Sequence, residues 1–574
     1  MKHSIIAALL LIAGLVSARQ PNVIIVMTDD QGYGDLRCHG NPMIKTPNLD
    51  RLHTQAVRFT DFHVDPTCSP TRAALLTGRY STRTGVWHTI MGRSILFKDE
   101  VTLAQMLGQA GYRTGIFGKW HLGDNYPSRP QDRGFQEVLI HGGGGVGQTP
   151  DAWGNDYFDD AYCQNGQWKR FEGYCTKVFF DGALDFISKS RNKPFFCYIP
   201  TNVPHSPNNV AEKYSRPYEN QGASKRMADF FGMITEFDEN FGRLLNHLDQ
   251  LGIANDTILI FMTDNGTADG IHRQRRNSKA KPPRFTGFNA GMRNGKGSQY
   301  DGGHRVPFFI RWPGGGIGGG RDVNELTAHI DVVPTLAELC GFELPKRHLD
   351  GRSLVPLIQG KSGWEKRTLF AHFQREEIPP KWARSAVMTK QWRLIDGKML
   401  YDIKKDPGQR NDLALKNPTV VNELRAEYED WWKTLEPSFE EHGWIVVGTE
   451  HENPSRLNCH DWHGPPTGMI PWNQTHFVKP KWVNGCWMVE FAQGGTYEFT
   501  LRQKPAVANT PIEATMASVT VGNREVSAAI SEEATAVQLI MDVEAGKKRL
   551  QTTFTDGATT KSRGAFFVDI RRIR

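Results

Sequence analysis

At 574 residues the chain is too long for one ordinary hydrophobic core, so at least two domains are expected. With 39% hydrophobic and 23% charged residues it is neither an intrinsically disordered chain nor a membrane channel. The formal net charge of +7 is a modest excess, and without a recognisable binding module it gives no reason to expect nucleic acid as a partner.

Residues 1–18 carry Lys2 and His3, an apolar run from Ile5 to Val16, then Ser17-Ala18: the charged start, short apolar core and small-residue exit of a secretory signal peptide. Cleavage after Ala18 and a secreted or periplasmic protein are expected. No membrane insertion is expected, because no later stretch is long and apolar enough to span a bilayer.

Five runs rich in Val, Ile and Phe read as buried strands, at 22–27, 113–117, 194–200, 257–263 and 306–311. Helical patterns lie between them at 71–77, 101–110 and 227–250, the last with Phe230, Phe231, Ile234, Phe237, Phe241, Leu244, Leu245 and Leu248 at near-helical spacing. Alternation of this kind predicts an α/β fold, a large mixed and mostly parallel sheet flanked by helices, with ligands beyond the carboxyl ends of its strands. Two strands run into oxygen-rich clusters, Asp29-Asp30 and Asp264-Asn265; two others run into Lys119-Trp120-His121 and Asn202-Val203-Pro204-His205. Singly, each has a structural reading as a helix cap, a turn or a satisfied histidine. Jointly they place metal ligands, a lysine and two histidines on one edge of one sheet.

Between Asp269 and Asp301 no acidic residue occurs, while Arg273, Arg275, Arg276, Lys279, Lys281, Arg284, Arg293 and Lys296 accumulate: either a solvated charge run or a rim attracting a polyanion. The glycine-rich loop from His141 to Gly147 reads as a substrate wall, and WPGGGIGGG at 312–320 as a surface loop before a helix that resumes at 331–336. Short alternating strands over 384–402 and a Trp-rich helix at 421–434 indicate a small antiparallel subdomain. Further short β-like runs, at 487–491, 496–503, 517–522, 536–543, 548–555 and 565–572, suggest a C-terminal β-sandwich module. Its Trp462, Trp472, Trp482 and Trp487 suit either glycan binding or packing. The expected division is 19–345, 346–435 and 444–574. Eight cysteines are too few for a disulfide scaffold, and Cys163 with Cys175, or Cys459 with Cys486, are the local pairs that export would permit.

One segment stands apart, CSPTRAALLTGR at 68–79: a thiol at a helix start, Pro in the first turn, and Arg72 one turn on. This Cys-x-Pro-x-Arg segment resembles the formylglycine-dependent type I sulfatases, arylsulfatase-like members of the alkaline phosphatase superfamily, over roughly residues 21–435. The resemblance implies an alkaline-phosphatase-like fold. It further implies that a maturation enzyme oxidises Cys68 to the aldehyde formylglycine (3-oxoalanine), whose hydrate attacks sulfate esters. It points to Ca²⁺, with Mg²⁺ as the alternative, held by Asp29, Asp30, Asp264, Asn265 and the modified Cys68; such hard oxygen donors suit either ion. Arg72 steadies the nucleophile, and Lys119, His205, Lys296 and Arg305 bind substrate. His205 protonates the leaving oxygen, and His121 takes the proton whose loss expels sulfate and restores the aldehyde. Asp301 stands where the family commonly has Glu, and Gly408 follows Asp406-Pro407 where Glu is often found. The expected activity is hydrolysis of a sulfated saccharide, the alternatives being a phosphate or phosphonate ester hydrolase of the same superfamily and a non-catalytic glycan-binding protein.

Overall fold

The computed structural model describes residues 20–272, 284–477, 481–557 and 561–574. The expected signal peptide, and Arg273, Arg275, Arg276, Lys279 and Lys281 of the basic loop, lie outside them.

Asn22–Thr28 (NVIIVMT) is buried along its whole length, the mark of a strand covered on both faces. It pairs in parallel with Thr257–Thr263 on one side and Phe195–Pro200 on the other; Arg113–Lys119 and Glu137–His141 extend the parallel set. Alternate residues feed two cores, Val23, Ile25 and Met27 on one face and Ile24 and Val26 on the other. Antiparallel Phe308–Arg311 pairs with Thr257–Thr263 and carries one side on to Val57–Phe59 and Arg321–Val323, and Ala161–Gln164 with Gln167–Arg170 closes the other, within a ten-stranded mixed sheet. The strand expected from 306 begins at Phe308, after Pro307, which has no amide proton to give a ladder.

Helices cover both faces. Lys225–Gln250 starts where the Ser224 side chain accepts from the Met227 amide at 3.3 Å, and buries Phe230, Phe237, Phe241 and Leu244. Cys68–Thr77 is buried throughout, extending the expected 71–77 helix back to the cysteine itself.

Four antiparallel strands in chain order, Leu369–His372, Ser385–Met388, Trp392–Ile395 and Met399–Asp402, form a second sheet. Helix Pro418–Lys433 packs Leu424, Tyr428 and Trp432 into the same core. From Ile445 on, two further sheets enclose a core holding Trp462 and Trp487, whose rings meet at 5.6 Å. Those two tryptophans therefore pack rather than bind glycan, whereas Trp472 and Trp482 are exposed.

The suggested disulfides are not formed, since all eight cysteines are free thiols. Cys175 and Cys459 lie in apolar surroundings as small hydrophobes, with Cys175 near Asn202 and Cys459 donating to the Pro471 carbonyl.

Arg393, on the second sheet, is fully buried between the two main units and bonds Asp301 at 3.0 Å and Asp61 at 2.8 Å. The shorter Asp301 thus ends on a buried cation and ties the subdomain to the central sheet. Burial would raise the pKa of both carboxyls, but Arg393 more than reverses this and holds them below the ordinary range. Their stabilisation is present above about pH 4, the unfolded carboxylate value, and is lost as pH falls through the depressed folded values. Arg393→Ala should lower unfolding stability at neutral pH by about 3–5 kcal/mol, the cost of leaving buried charges unpaired. In urea titrations the gap from the parent protein should narrow on acidification below about pH 4.

Candidate active site

Four parallel strands end side by side and deliver the chemistry. Thr28 and Thr263 are partners in register, so Asp29 and Asp264 leave the sheet together, with the Asp264 amide donating to the Thr28 carbonyl at 3.1 Å. Asp30 follows in the left-handed region at φ 74°, its amide donating to Asp264 Oδ1 at 3.0 Å. Asn265 donates through Nδ2 to Asp30 Oδ1 at 3.0 Å. The neighbouring strands deliver Lys119, His121 and His205 to the same edge.

Cys68 is buried at the start of its helix, with Sγ 3.4 Å from His121 Nδ1. One turn on, Arg72 reaches back to Asp264 Oδ2 at 2.8 Å and to the Lys119 carbonyl at 3.0 Å. This contact joins the acidic cluster to the helix that bears the thiol. Lys119 Nζ meets Asp29 Oδ2 at 2.6 Å, and Lys296 Nζ meets Asp30 Oδ1 at 2.5 Å. The Lys296 segment is fixed on both sides: its own amide donates to the Thr267 carbonyl at 3.0 Å, and the Gly297 amide to the Pro66 carbonyl at 2.9 Å, beside Cys68.

The buried oxygens bear on a cation. Among the described residues Asp29 Oδ1 and Asn265 Oδ1 have no hydrogen-bond partner, and Asp29, Asp30 and His205 offer donor atoms within 4.8 Å of one another. Burial, then repulsion from Asp29, raises the Asp264 pKa to about 7 despite Arg72. Unsatisfied hard oxygens crowded with carboxylates fit a divalent cation of the Ca²⁺ or Mg²⁺ type.

The two histidines are distinct. His121 Nε2 lies 2.9 Å from the Thr89 carbonyl, which only accepts, so Nε2 carries the proton and Nδ1 turns its lone pair to Cys68. Burial and then Lys119 hold its pKa well below the usual value, keeping the ring neutral. His205 Nδ1 faces the Ser206 carbonyl at 2.6 Å, leaving Nε2 toward Asp30 at 3.9 Å. Burial and the Lys296 charge lower its pKa to about 3 against the pull of Asp30. His121, at φ 61°, shares with Asp30 a backbone conformation rarely adopted by residues with side chains, a strain that tertiary structure sustains at functional sites.

Arg305 does not join this group. Its guanidinium donates to the Thr60 carbonyl at 2.7 Å and lies over the Tyr33 ring, and its backbone bridges to His63.

The glycine-rich loop walls the pocket. A Cβ on Gly144 would stand 2.2 Å from His121 Cε1, and one on Gly145 would stand 3.0 Å from His205 Cε1. The C-terminal sandwich holds this wall. Thr149 donates to the Pro471 carbonyl at 2.7 Å and the Trp472 carbonyl at 3.0 Å, and Gln474 Nε2 bonds the carbonyls of Gln148, Asp151 and Ala152 at 3.1–3.2 Å. From the same module, His460 places its ring 6.1 Å from that of His121, with a buried Nε2 that has no partner among the described residues. Sequence reasoning missed His460; the one signal was the dense Cys459-His460-Asp461-Trp462-His463 cluster.

The Sulfatase family model matches residues 21–342, and one for the C-terminal region of N-sulphoglucosamine sulphohydrolase matches 295–433. The chain is 31% identical to human arylsulfatase A over 486 residues, covering 73% of this chain and 89% of that protein. With human steryl-sulfatase it shares 28% identity, covering 69% and 85%. The structure of Ps i-CgsB in complex with k-i-k-neocarrahexaose superposes with a TM-score of 0.63 at 28% identity, over 72% of this chain and 93% of that one.

Gly144→Ala should push the His121 ring from Cys68 and cut turnover of an aryl sulfate about 100-fold, the scale of a misplaced reacting group. Near-ultraviolet circular dichroism and thermal unfolding would separate this from loss of fold.

Proposed function

The chain belongs to the sulfatase family, and from that premise we propose that it desulfates a saccharide through a formylglycine made from Cys68. It is a type I sulfatase of the alkaline phosphatase superfamily and a sulfuric ester hydrolase. What carries the finer reading is the juxtaposition of the Cys68 thiol, the His121 lone pair and the cation-fitting oxygens in one buried pocket.

Asp29, Asp30, Asp264, Asn265 and the side chain at position 68 would hold the divalent cation, Ca²⁺ in this reading and Mg²⁺ as its alternative. When bound, the cation supplies positive charge that eases ionisation of the attacking oxygen and gathers charge on the sulfuryl group. The aldehyde, once hydrated, supplies that oxygen. Lys119 and Lys296 orient the sulfate by charge, and Arg72 fixes position 68 against Asp264. His205 turns Nε2 to the leaving oxygen. A sulfate anion beside it offsets the repulsion from Lys296, which raises its pKa toward proton donation. His121 Nδ1, with its ring held by the Thr89 carbonyl, accepts the proton from position 68.

A sulfated saccharide as substrate is supported by the carrageenan-derived ligand named for the similar Ps i-CgsB structure. Export after cleavage at Ala18, maturation by a formylglycine-generating enzyme, and the division into 19–345, 346–435 and 444–574 belong to the same proposal. No helix among the described residues is long and apolar enough to cross a membrane.

Protein produced with the maturation machinery should show the thiol-to-aldehyde mass loss in the peptide spanning Cys68 and should hydrolyse an aryl sulfate far faster than an aryl phosphate. Cys68→Ala should lower sulfate release by at least about 1,000-fold, as loss of a nucleophile does. Full activity in that variant would refute the mechanism. Chelation should abolish turnover, and Ca²⁺ or Mg²⁺ should restore it.

A further inference from the structure

Within the pocket the fixed charges match one for one. Arg72 faces Asp264 at 2.8 Å, Lys119 faces Asp29 at 2.6 Å, and Lys296 faces Asp30 at 2.5 Å. On the loop beside Lys296 and Thr89 the balance fails. Arg375 and Arg384 have no carboxylate partner among the described residues, and both guanidinium carbons stand 5.0 Å from the centre of the Phe373 ring.

All three residues belong to the loop joining strands Leu369–His372 and Ser385–Met388. The loop closes on itself, with the Phe373 amide donating to the Arg384 carbonyl at 3.0 Å and Gln374 Nε2 to the Ala383 carbonyl at 3.0 Å. It borders the pocket on two sides. A Cβ on Gly297, next to Lys296, would stand 3.3 Å from the Phe373 ring. Arg375 donates to the Thr89 hydroxyl and approaches His88 Nδ1 at 3.4 Å, while the Thr89 carbonyl is the group that orients His121. The Arg375 carbonyl accepts from Thr467 of the C-terminal module at 2.5 Å. Burial lowers the Arg375 pKa and the Arg384 charge adds to this, against the pull of Cys68 and Asp30.

Partly burying a guanidinium without an anion costs free energy that its contacts to neutral Thr89 and His88 recover only in part. A planar fork with unused N–H groups, beside a second guanidinium and an aromatic face, is built for a carboxylate or sulfate.

We propose that Arg375 and Arg384, both packed against the Phe373 ring, form a second oxyanion subsite that holds a further negative group of the saccharide whose sulfate is cleaved. This rests on the sulfatase reading above and narrows the substrate to a polyanionic saccharide. Inorganic sulfate fills only the pocket, whereas a longer chain reaches both places.

The test compares inhibition of aryl sulfate hydrolysis by inorganic sulfate, by a sulfated carrageenan oligosaccharide and by an oligogalacturonate, whose anions are carboxylates only. In Arg384→Ala, and separately in Arg375→Ala, the ratio of oligosaccharide to inorganic-sulfate inhibition constants should rise about tenfold or more, the scale of one charge-assisted contact. Arg375→Lys, which keeps the charge but not the fork, should show a smaller rise. The arm that responds identifies the anion as sulfate or carboxylate. Three results would overturn the subsite: a ratio within twofold of wild type for both oligosaccharides, a parallel rise in all the constants, or wild-type inhibition no stronger by either oligosaccharide than by inorganic sulfate. Calorimetric binding of the same three probes gives the ratio without turnover, so failure of the subsite and failure of the sulfatase reading are told apart.

Discussion

Three carboxylates buried at adjoining strand ends set the terms for everything around them. Asp29, Asp30 and Asp264 are each under 3% exposed, and in such surroundings like charges are tolerated only beside compensating positive charge. The compensation comes from three separate places: Arg72 from the helix that bears Cys68, Lys119 from a neighbouring strand end, and Lys296 from the loop preceding Phe308–Arg311. Each ion pair is therefore also a tertiary link. Helix, sheet and loop cannot move apart without leaving a buried charge unpaired, and the Cys68 thiol is held in place by the same electrostatics. The left-handed backbone at Asp30 and His121 is strain of the kind such a network sustains.

Much of this was legible in the sequence, because strands buried on both faces appear as continuous apolar runs and the site residues follow those runs directly. Asp29, Asp264 and Lys119 lie where the ends of 22–28, 257–263 and 113–119 put them. Strands lacking that pattern escaped notice. Val57–Phe59 has three residues, and Gln167–Arg170 is exposed along its length, so neither displays an apolar run. Arg305 was misjudged because sequence adjacency to the Lys296 motif cannot tell which way a side chain leaves a bridge; here it turns to Thr60 and Tyr33. His460 was invisible as a neighbour of His121 because nothing local encodes a contact between modules so far apart in the chain.

The C-terminal sandwich accordingly has contacts at the site that its strand pattern does not suggest. Neither family match extends past residue 433, yet Pro471, Trp472 and Gln474 grip the loop carrying Gly144 and Gly145. A glycine loop has high conformational entropy when free, and Gly144 tolerates no side chain beside His121. Fixing such a loop from outside keeps the pocket narrow without filling it. The same module holds Arg375 through Thr467.

Two depths of the pocket thus have different origins. At the bottom, charges from strand ends and the Cys68 helix cancel in pairs, which suits a reaction needing fixed geometry around one sulfuryl group. Above it, the 142–154 loop and the 373–384 loop each meet the C-terminal module, and there Arg375 and Arg384 lack carboxylate partners among the described residues. An unmatched guanidinium gains much from an anion. Affinity for the rest of the substrate should therefore concentrate where the appended elements converge. The sheet governs what bond is broken, and the parts added to it govern which molecule presents that bond.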